Sequence, residues 1–411
     1  MAIDKLVLDP TGADIHGEVA RLRAYGPAAR VVLPGGVHGW LVTDHAVLRR
    51  LMVSSRVSKD PQYWSALNAG EIPQDWVMRP WFEVQNLLTA SGDTHERLRG
   101  AVGAAFTERR VRALRPRIEA ITGEELDRLA WTSDGDIADL RAGFARRLPI
   151  RVITELMAVP PSMAGPLCRH ADGLLNTSAA PDRVRADYAA MMGLVTEVIT
   201  YKRSHLADDL TSTLITGPDR AGPRLSEEEL RDTLALFITA GHETTTNLLG
   251  HAVIASLTHP RQRAEVIAGH ISFDQVIEET LRRNPPIAAM PFRFTVEDID
   301  LGDGVQIPRG EAILASIAGA NRDPKVFGKQ AHQFDARRDS RGHMAFGYGM
   351  HRCVGAPLAR LEARVALPGL FKRFPHIQLG VDPAELQSLP SFVMDGHRAI
   401  PVRLGAPAPP S

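Results

Sequence analysis

The chain has 411 residues, with Lys plus Arg and Asp plus Glu at 48 each and a formal net charge of zero. That balance supplies no field to gather nucleic acid or anionic lipid, and no apolar run reaches the ~18 residues of a membrane span. Cys168 and Cys353, the two cysteines, build no disulfide framework, and Met1–Leu6 lacks the basic and apolar regions of a secretory signal, so a cytoplasmic protein without membrane or nucleic-acid partners is expected.

The N-terminal third mixes short strand-like runs, Arg30–Leu33 and Gly39–Thr43, with helical patterns. Residues 60–88 gather Trp64, Trp76 and Trp81, three of the five tryptophans, with Phe82, Val84 and Leu88; Gln85 and Asn86 offer polar anchors among them. Asp93–Glu96 opens a helix on which His95 and Arg99, four apart, share a face. From there to residue 275 helical patterns dominate.

The clearest helix starts at Ser226, with Glu229 completing a capping box, and runs to about Thr258, where His259-Pro260 ends it. Some thirty residues make a rod of about 45 Å, long enough to cross a domain. Its middle, Leu234–Gly241, is apolar almost all round, which marks a buried helix. Gly241 and Thr244–Thr246 then weaken it. Ala240 is small, and Thr244 on the same face can bond back to the carbonyl of residue 240, opening the helix and leaving room beside it. Glu243 can pass protons inward. A kinked packing helix with a solvated glutamate is the alternative.

Ser272–Gln275 is a second capping box, and Pro285-Pro286 stops its helix, on which Glu279 and Arg282 can pair. Residues 287–320 alternate apolar segments with turns at Gly302–Gly304 and Pro308–Gly310, which read as short strands.

Phe346-Gly-Tyr-Gly-Met-His-Arg-Cys-Val-Gly-Ala356 follows. Gly347 and Gly349 permit positive φ and close approach to a flat ligand, and Ala356–Arg364 reads as a helix that tolerates Pro357 in its first turn. A thiol just before a helix N-terminus, flanked by His351 and Arg352, is biased toward thiolate. One cysteine cannot build a four-ligand zinc or iron–sulfur site. It can supply one axial ligand to haem iron; the alternative is a structural core thiol.

This loop resembles the cysteine-ligand loop of the cytochromes P450, and the resemblance extends over about residues 15–404. It implies one domain over residues 1–411, mainly α with a smaller β-rich region, ending in a short disordered tail at about 405–411. The cofactor implied is haem b, with Cys353 as its axial thiolate and Phe346 packed near the sulfur. Ala240-Gly-His-Glu-Thr244 resembles the family's oxygen-activation signature, in which Thr244 orders hydrogen bonds around O2 and Glu243 feeds the proton relay. His95, Arg99, Arg293 and His343 match the partners of the haem propionates, and Glu279, Arg282 and Arg338 match a structural triad. The aromatic stretch at 60–88 corresponds to the segment that folds over substrate. Trp81, Val84, Leu236, Phe237, Ala240, Ala288, Ala289, Phe392 and Val393 would line a pocket for a bulky apolar or peptide-derived small molecule.

The pattern is similar to soluble actinomycete P450s, which oxidise steroids, macrolides, terpenoids or peptide-derived products. With no flavin or iron–sulfur module in the chain, electrons would come from a ferredoxin and its reductase, docking on Arg109, Arg110, Arg112, Arg352 and Arg364. The expected reaction is hydroxylation; oxidative coupling of aromatic substrates and a non-catalytic haem sensor or carrier are the alternatives.

Overall fold

A computed structural model of the chain describes all residues except 1–5, 104–105, 133–136, 218–223, 303 and 408–411. Residues 408–411 of the expected tail therefore lie outside the described residues, as does Asp303 of the expected Gly302–Gly304 turn.

Helices predominate, and the longest, Glu227–Thr258, organises the rest. Its start is fixed by the expected capping box: the Glu229 N–H donates to Ser226 Oγ at 3.1 Å, and the Ser226 N–H donates to Glu229 Oε2 at 2.9 Å. His259 closes the other end. Leu230, Leu234, Ala235, Phe237 and Ile238 on the first half pack with helices Pro161–Leu175 and Pro181–Ser204. Leu248, Leu249, Ala252 and Val253 on the second half belong to another core, shared with helices Arg115–Thr132, Phe273–Arg283 and Ala356–Arg373. Ala240–Thr244 falls between the two cores. One rod spans both bodies of apolar packing and leaves its middle free to border a cavity.

Gly241 has a packing reason to be glycine. A Cβ there would stand 2.8 Å from Ile153 Cγ1 of helix Arg147–Leu156, closer than carbon atoms approach. The expected opening of the helix is corrected: it is continuous through Gly241 and Thr246, because the Thr244 back-bond adds to the ladder without breaking it.

The β-rich region is a six-stranded sheet with spatial order Leu6–Val7, Ala28–Val32, His38–Val42, Ala312–Ser316, Ala289–Thr295 and Val57–Ser58. Strands expected at Arg30–Leu33 and Gly39–Thr43 are thus present within two residues of their places. On this sheet Phe292 and Phe294 stack on Trp64, with ring centroids 5.7 and 5.4 Å away, and Trp76 and Phe82 complete the cluster. The reading of Trp64, Trp76 and Phe82 as a lid over substrate is corrected accordingly: they are core, and the segment's Trp81, Val84 and Leu88 are the ones that reach the cavity. No helix of the described residues is long and apolar enough to cross a membrane.

Candidate active site

Gly347 and Gly349 adopt φ of +70° and +76°, and the chain folds back so that the Cys353 N–H donates to the Phe346 carbonyl at 2.8 Å. This puts Cys353 at the base of a cavity of about 320 Å³, opposite Ala240 and Thr244 of the long helix. Backbone N–H groups of Gly355 and Ala356 point at the sulfur, as a loop running into a helix N-terminus dictates. Those N–H groups and the charges of Arg99 and Arg360 favour the thiolate, as the sequence leads one to expect, and removal from water raises the thiol against them. Phe346 borders the cavity, with the Arg360 guanidinium 4.5 Å over its ring.

A second feature of the cavity is a set of cations without anions. Strand pairing sets Val57 opposite Thr295 and Ser58 opposite Phe294, and the same register carried one step further faces Lys59 with Arg293. Like charges across a strand pair repel. Both side chains are buried and both border the cavity, as do Arg99 and His351. Among the described residues no carboxylate hydrogen-bonds or ion-pairs with Lys59, Arg293 or His351, and Arg293 Nη1 has no partner. Burial, then Arg293, holds the Lys59 amine well below the usual lysine range, and burial brings Arg293 down to about 10. Burial first, then Lys59, His95 and Arg293, pushes His351 down to about 2. The charged forms of Lys59 and Arg293 are stable at such burial only beside an anion. With a single thiol facing the same slot, the residues fit a flat, iron-bearing, dicarboxylate group.

The four expected propionate partners fare differently. Arg293 and Arg99 border the cavity, and Arg99 Nη1 also donates to the Arg352 carbonyl at 2.8 Å. His95 stands behind the rim, its ring 4.1 Å from that of His351 and its Nε2 buried without a partner. His343 is corrected. Its Nε2 lies 3.0 Å from Glu278 Oε2, and it does not border the cavity. The histidine that does is His351, two residues before the cysteine, together with Lys59.

Thr244 donates to the Ala240 carbonyl at 2.8 Å and borders the cavity. Glu243 points the other way. It is buried, not solvated, with Oε1 2.6 Å from Arg141 Nη2 and Oε2 unpartnered. Beside it, buried His242 meets Asp172 Oδ1 at 2.8 Å through Nε2 and the Ile238 carbonyl at 2.6 Å through Nδ1. Arg141 comes from a π-helical turn, Arg141–Ala145. Glu362, which no motif reading singled out, also borders the cavity; burial raises its carboxyl well above the usual range, and Oε2 has no partner.

Glu279, Arg282 and Arg338 come together. Arg282 grips Glu279 with two bonds of 2.7 Å at zero exposure, and Arg338 Nε lies 3.4 Å from Oε1. Ser340 Oγ adds a bond of 2.6 Å, which ties the chain leading into the cysteine loop.

Of the expected pocket residues, Trp81, Val84, Leu236, Phe237 and Ala240 border the cavity. Ala288, Ala289, Phe392 and Val393 do not, and that expectation is corrected. The Ala288 N–H donates to the Val393 carbonyl at 2.8 Å, and all four side chains turn into core. Their neighbours Ile287, Met290 and Met394 face the cavity instead. Side chains alternate along extended chain, so an offset of one residue exchanges the wall for the core.

The family description Cytochrome P450 matches residues 273–399. The chain is 41% identical over 398 residues to 2-hydroxy-5-methyl-1-naphthoate 7-hydroxylase of Streptomyces carzinostaticus, covering 97% of each chain. It is 35% identical over 409 residues to 6-deoxyerythronolide B hydroxylase of Saccharopolyspora erythraea, covering 98% of this chain and 99% of that one. Among solved structures, CYP154C4 from Streptomyces sp. W2061 superposes with a TM-score of 0.95 at 43% identity, over 99% of both chains. Matches of this identity over nearly the whole length, joined to a lone thiol and unpaired cations around one slot, mean that the chain belongs to the cytochrome P450 family.

Proposed function

We propose that this P450 monooxygenase holds haem b through Cys353 and hydroxylates a bulky, largely apolar small molecule, with electrons from a ferredoxin and its reductase. The observation that carries the reading is the shared slot: one thiol at its base, Thr244 opposite, and Lys59, Arg293 and His351 unpaired at its edge. Lys59 and Arg293 would neutralise the propionates and neutral His351 would donate a hydrogen bond, with Arg99 beside them and His95 backing His351.

Haem, when bound, supplies the activation of O2 and the insertion of one oxygen atom into a C–H bond. The protein supplies position and protons. The N–H groups of Gly355 and Ala356 moderate the charge on the sulfur. Thr244 spends its proton on the Ala240 carbonyl, so toward the cavity its oxygen acts as an acceptor that would order the proton of a water there. Glu243 works from behind the helix. Its free Oε2 lies beside the His242–Asp172 pair, and Asp172, one-third exposed, links that pair to solvent. Asp172, His242 and Glu243 would carry protons from solvent to the side of the helix behind Thr244. Arg109, Arg110, Arg112, Arg352 and Arg364 are exposed, which suits docking of an acidic ferredoxin. Relatives named for a naphthoate and for 6-deoxyerythronolide B support an apolar substrate of some bulk.

The CO difference spectrum of the dithionite-reduced protein tests the ligand. A strongly red-shifted Soret band in the wild type that disappears in Cys353→Ser is expected; an unchanged band in the variant would refute the assignment. Product mass tests the reaction: one added oxygen is expected, and loss of two hydrogens would replace hydroxylation with coupling.

A further inference from the structure

The far end of the cavity holds a carboxylate that nothing in the haem reading requires. Asp232 lies on the long helix twelve residues before Thr244, so the two stand about 18 Å apart along its axis. The side chain is 2% exposed and borders the cavity. Oδ2 accepts the Gln85 N–H at 2.7 Å, while Oδ1 has no hydrogen-bond partner. The nearest cation is Arg231, whose Nε stands 3.7 Å from Oδ1 on a side chain 41% exposed; this loose ion pair lowers the carboxyl but is outweighed by burial. Burial raises the Asp232 carboxyl above its usual range. Tyr188, from helix Pro181–Ser204, borders the same corner, and burial followed by the Asp232 charge raises its phenol. Met191, Met192 and Leu236 add apolar wall, and Asn86, whose Nδ2 donates to the Asp232 backbone carbonyl at 3.3 Å, adds a polar group.

Resting on the haem-monooxygenase reading, the geometry points to an elongated apolar substrate that carries a cationic amino group, anchored by Asp232 at the end remote from the reacting carbon. A buried carboxylate with a free oxygen binds a cation where it would not bind another acceptor. Tyr188 and Trp81 offer π faces, and the methionine sulfurs are polarisable; both suit the methyl groups of a tertiary or quaternary amine. The ~18 Å between Asp232 and Thr244 sets the length: a compact molecule cannot reach both, whereas a long one is held end-on with its far carbon near Thr244.

Two probes of equal shape test this, long alkyl chains ending either in trimethylammonium or in the neutral tert-butyl group. The quaternary nitrogen has no lone pair and cannot ligate iron. Binding is read from the spin-state shift of the holoenzyme, after haem content and the CO spectrum have been recorded for each protein. Those two spectra report on Cys353 alone, so a failed haem reading is distinguished from a failed anchor. The cationic probe should bind wild type at least about tenfold more tightly than its neutral twin. In Asp232→Asn, which keeps an oxygen for the Gln85 N–H, the two affinities should become equal. Tyr188→Leu, altered on a separate helix, should reduce the same preference. Equal affinities in the wild type, or an undiminished preference in Asp232→Asn, would overturn the anchor.

Discussion

Lys59 gives the sharpest test of how the slot is built, because replacing it with methionine should move two measurements in opposite directions. Its side chain is 5% exposed, faces Arg293 across the sheet and meets no carboxylate. In the protein without haem this is an uncompensated buried charge. Lys59→Met keeps most of the stem's packing and removes the ammonium, so the apoprotein should gain about 1–3 kcal/mol. In the holoprotein the same change removes one partner of a buried ion pair. Breaking an isolated pair costs about 3–5 kcal/mol; the Arg293 charge would share the anion here, which leaves about 2–3 kcal/mol. Haem release should then quicken roughly 30- to 150-fold. Urea unfolding of the apoprotein reads the first effect, and the rate of haem transfer to excess apomyoglobin reads the second. Lys59→Arg should restore slow release. An apoprotein made less stable by Lys59→Met, with haem release unchanged, would mean that Lys59 serves only as a core stem and that the propionate argument is wrong.

Thr244→Ala removes the acceptor while sparing the helix ladder, so the substrate-induced spin shift should persist. Product formed per NAD(P)H should fall at least about tenfold, with peroxide rising in compensation; unchanged coupling would remove Thr244 from proton delivery. Trp64, 1% exposed and packed on four aromatic rings, should cost about 3–5 kcal/mol when replaced by alanine, without altering substrate preference, since it does not border the cavity. Calorimetry and a binding panel check the two halves of that statement. At Glu278, burial alone would raise the carboxyl, but hydrogen bonds from Arg360 and His343 outweigh it and hold the group down at about 2, against an ordinary 4.5. A depressed folded-state value means stabilisation fully present above pH 4.5 and lost as pH falls toward 2. Glu278→Gln should therefore flatten the acid limb of the stability curve in that window, and an unaltered limb would show that the group contributes nothing there.

Local chemistry was readable wherever the cause is local. The capping boxes at Ser226 and Ser272, the positive-φ glycines before Cys353 and the Thr244 back-bond each depend on residues within a few positions of one another, and each stands where its spacing puts it. Propionate partners depend on the chain meeting itself. His351 reaches His95 only because the cysteine loop doubles back, and Lys59 reaches Arg293 only because strand Val57–Ser58 pairs with Ala289–Thr295. Neither fact has a trace in neighbouring residues, so the sequence points to His343, whose Nε2 the fold sets against Glu278 instead.

The substrate end of the cavity was hidden for a related reason. Trp64 and Trp81 lie in one aromatic-rich stretch, yet one closes the core over the sheet and the other borders the cavity. Ala289 and Met290 are adjacent, and the pleat sends them to opposite sides. A buried charge is the exception to this silence once coordinates exist, because burial without a partner is costly enough to require an explanation. At the Cys353 end the buried cations Lys59 and Arg293 have no carboxylate partner, which is what the proposed dicarboxylate cofactor would supply, while the Glu362 carboxyl on the same cavity is left unexplained. At the Tyr188 end the buried carboxyl is Asp232, compensated only loosely by half-exposed Arg231, and the further partner proposed for it is a cation. A dicarboxylate cofactor would not answer Asp232, and the cationic substrate proposed above is the ligand that would.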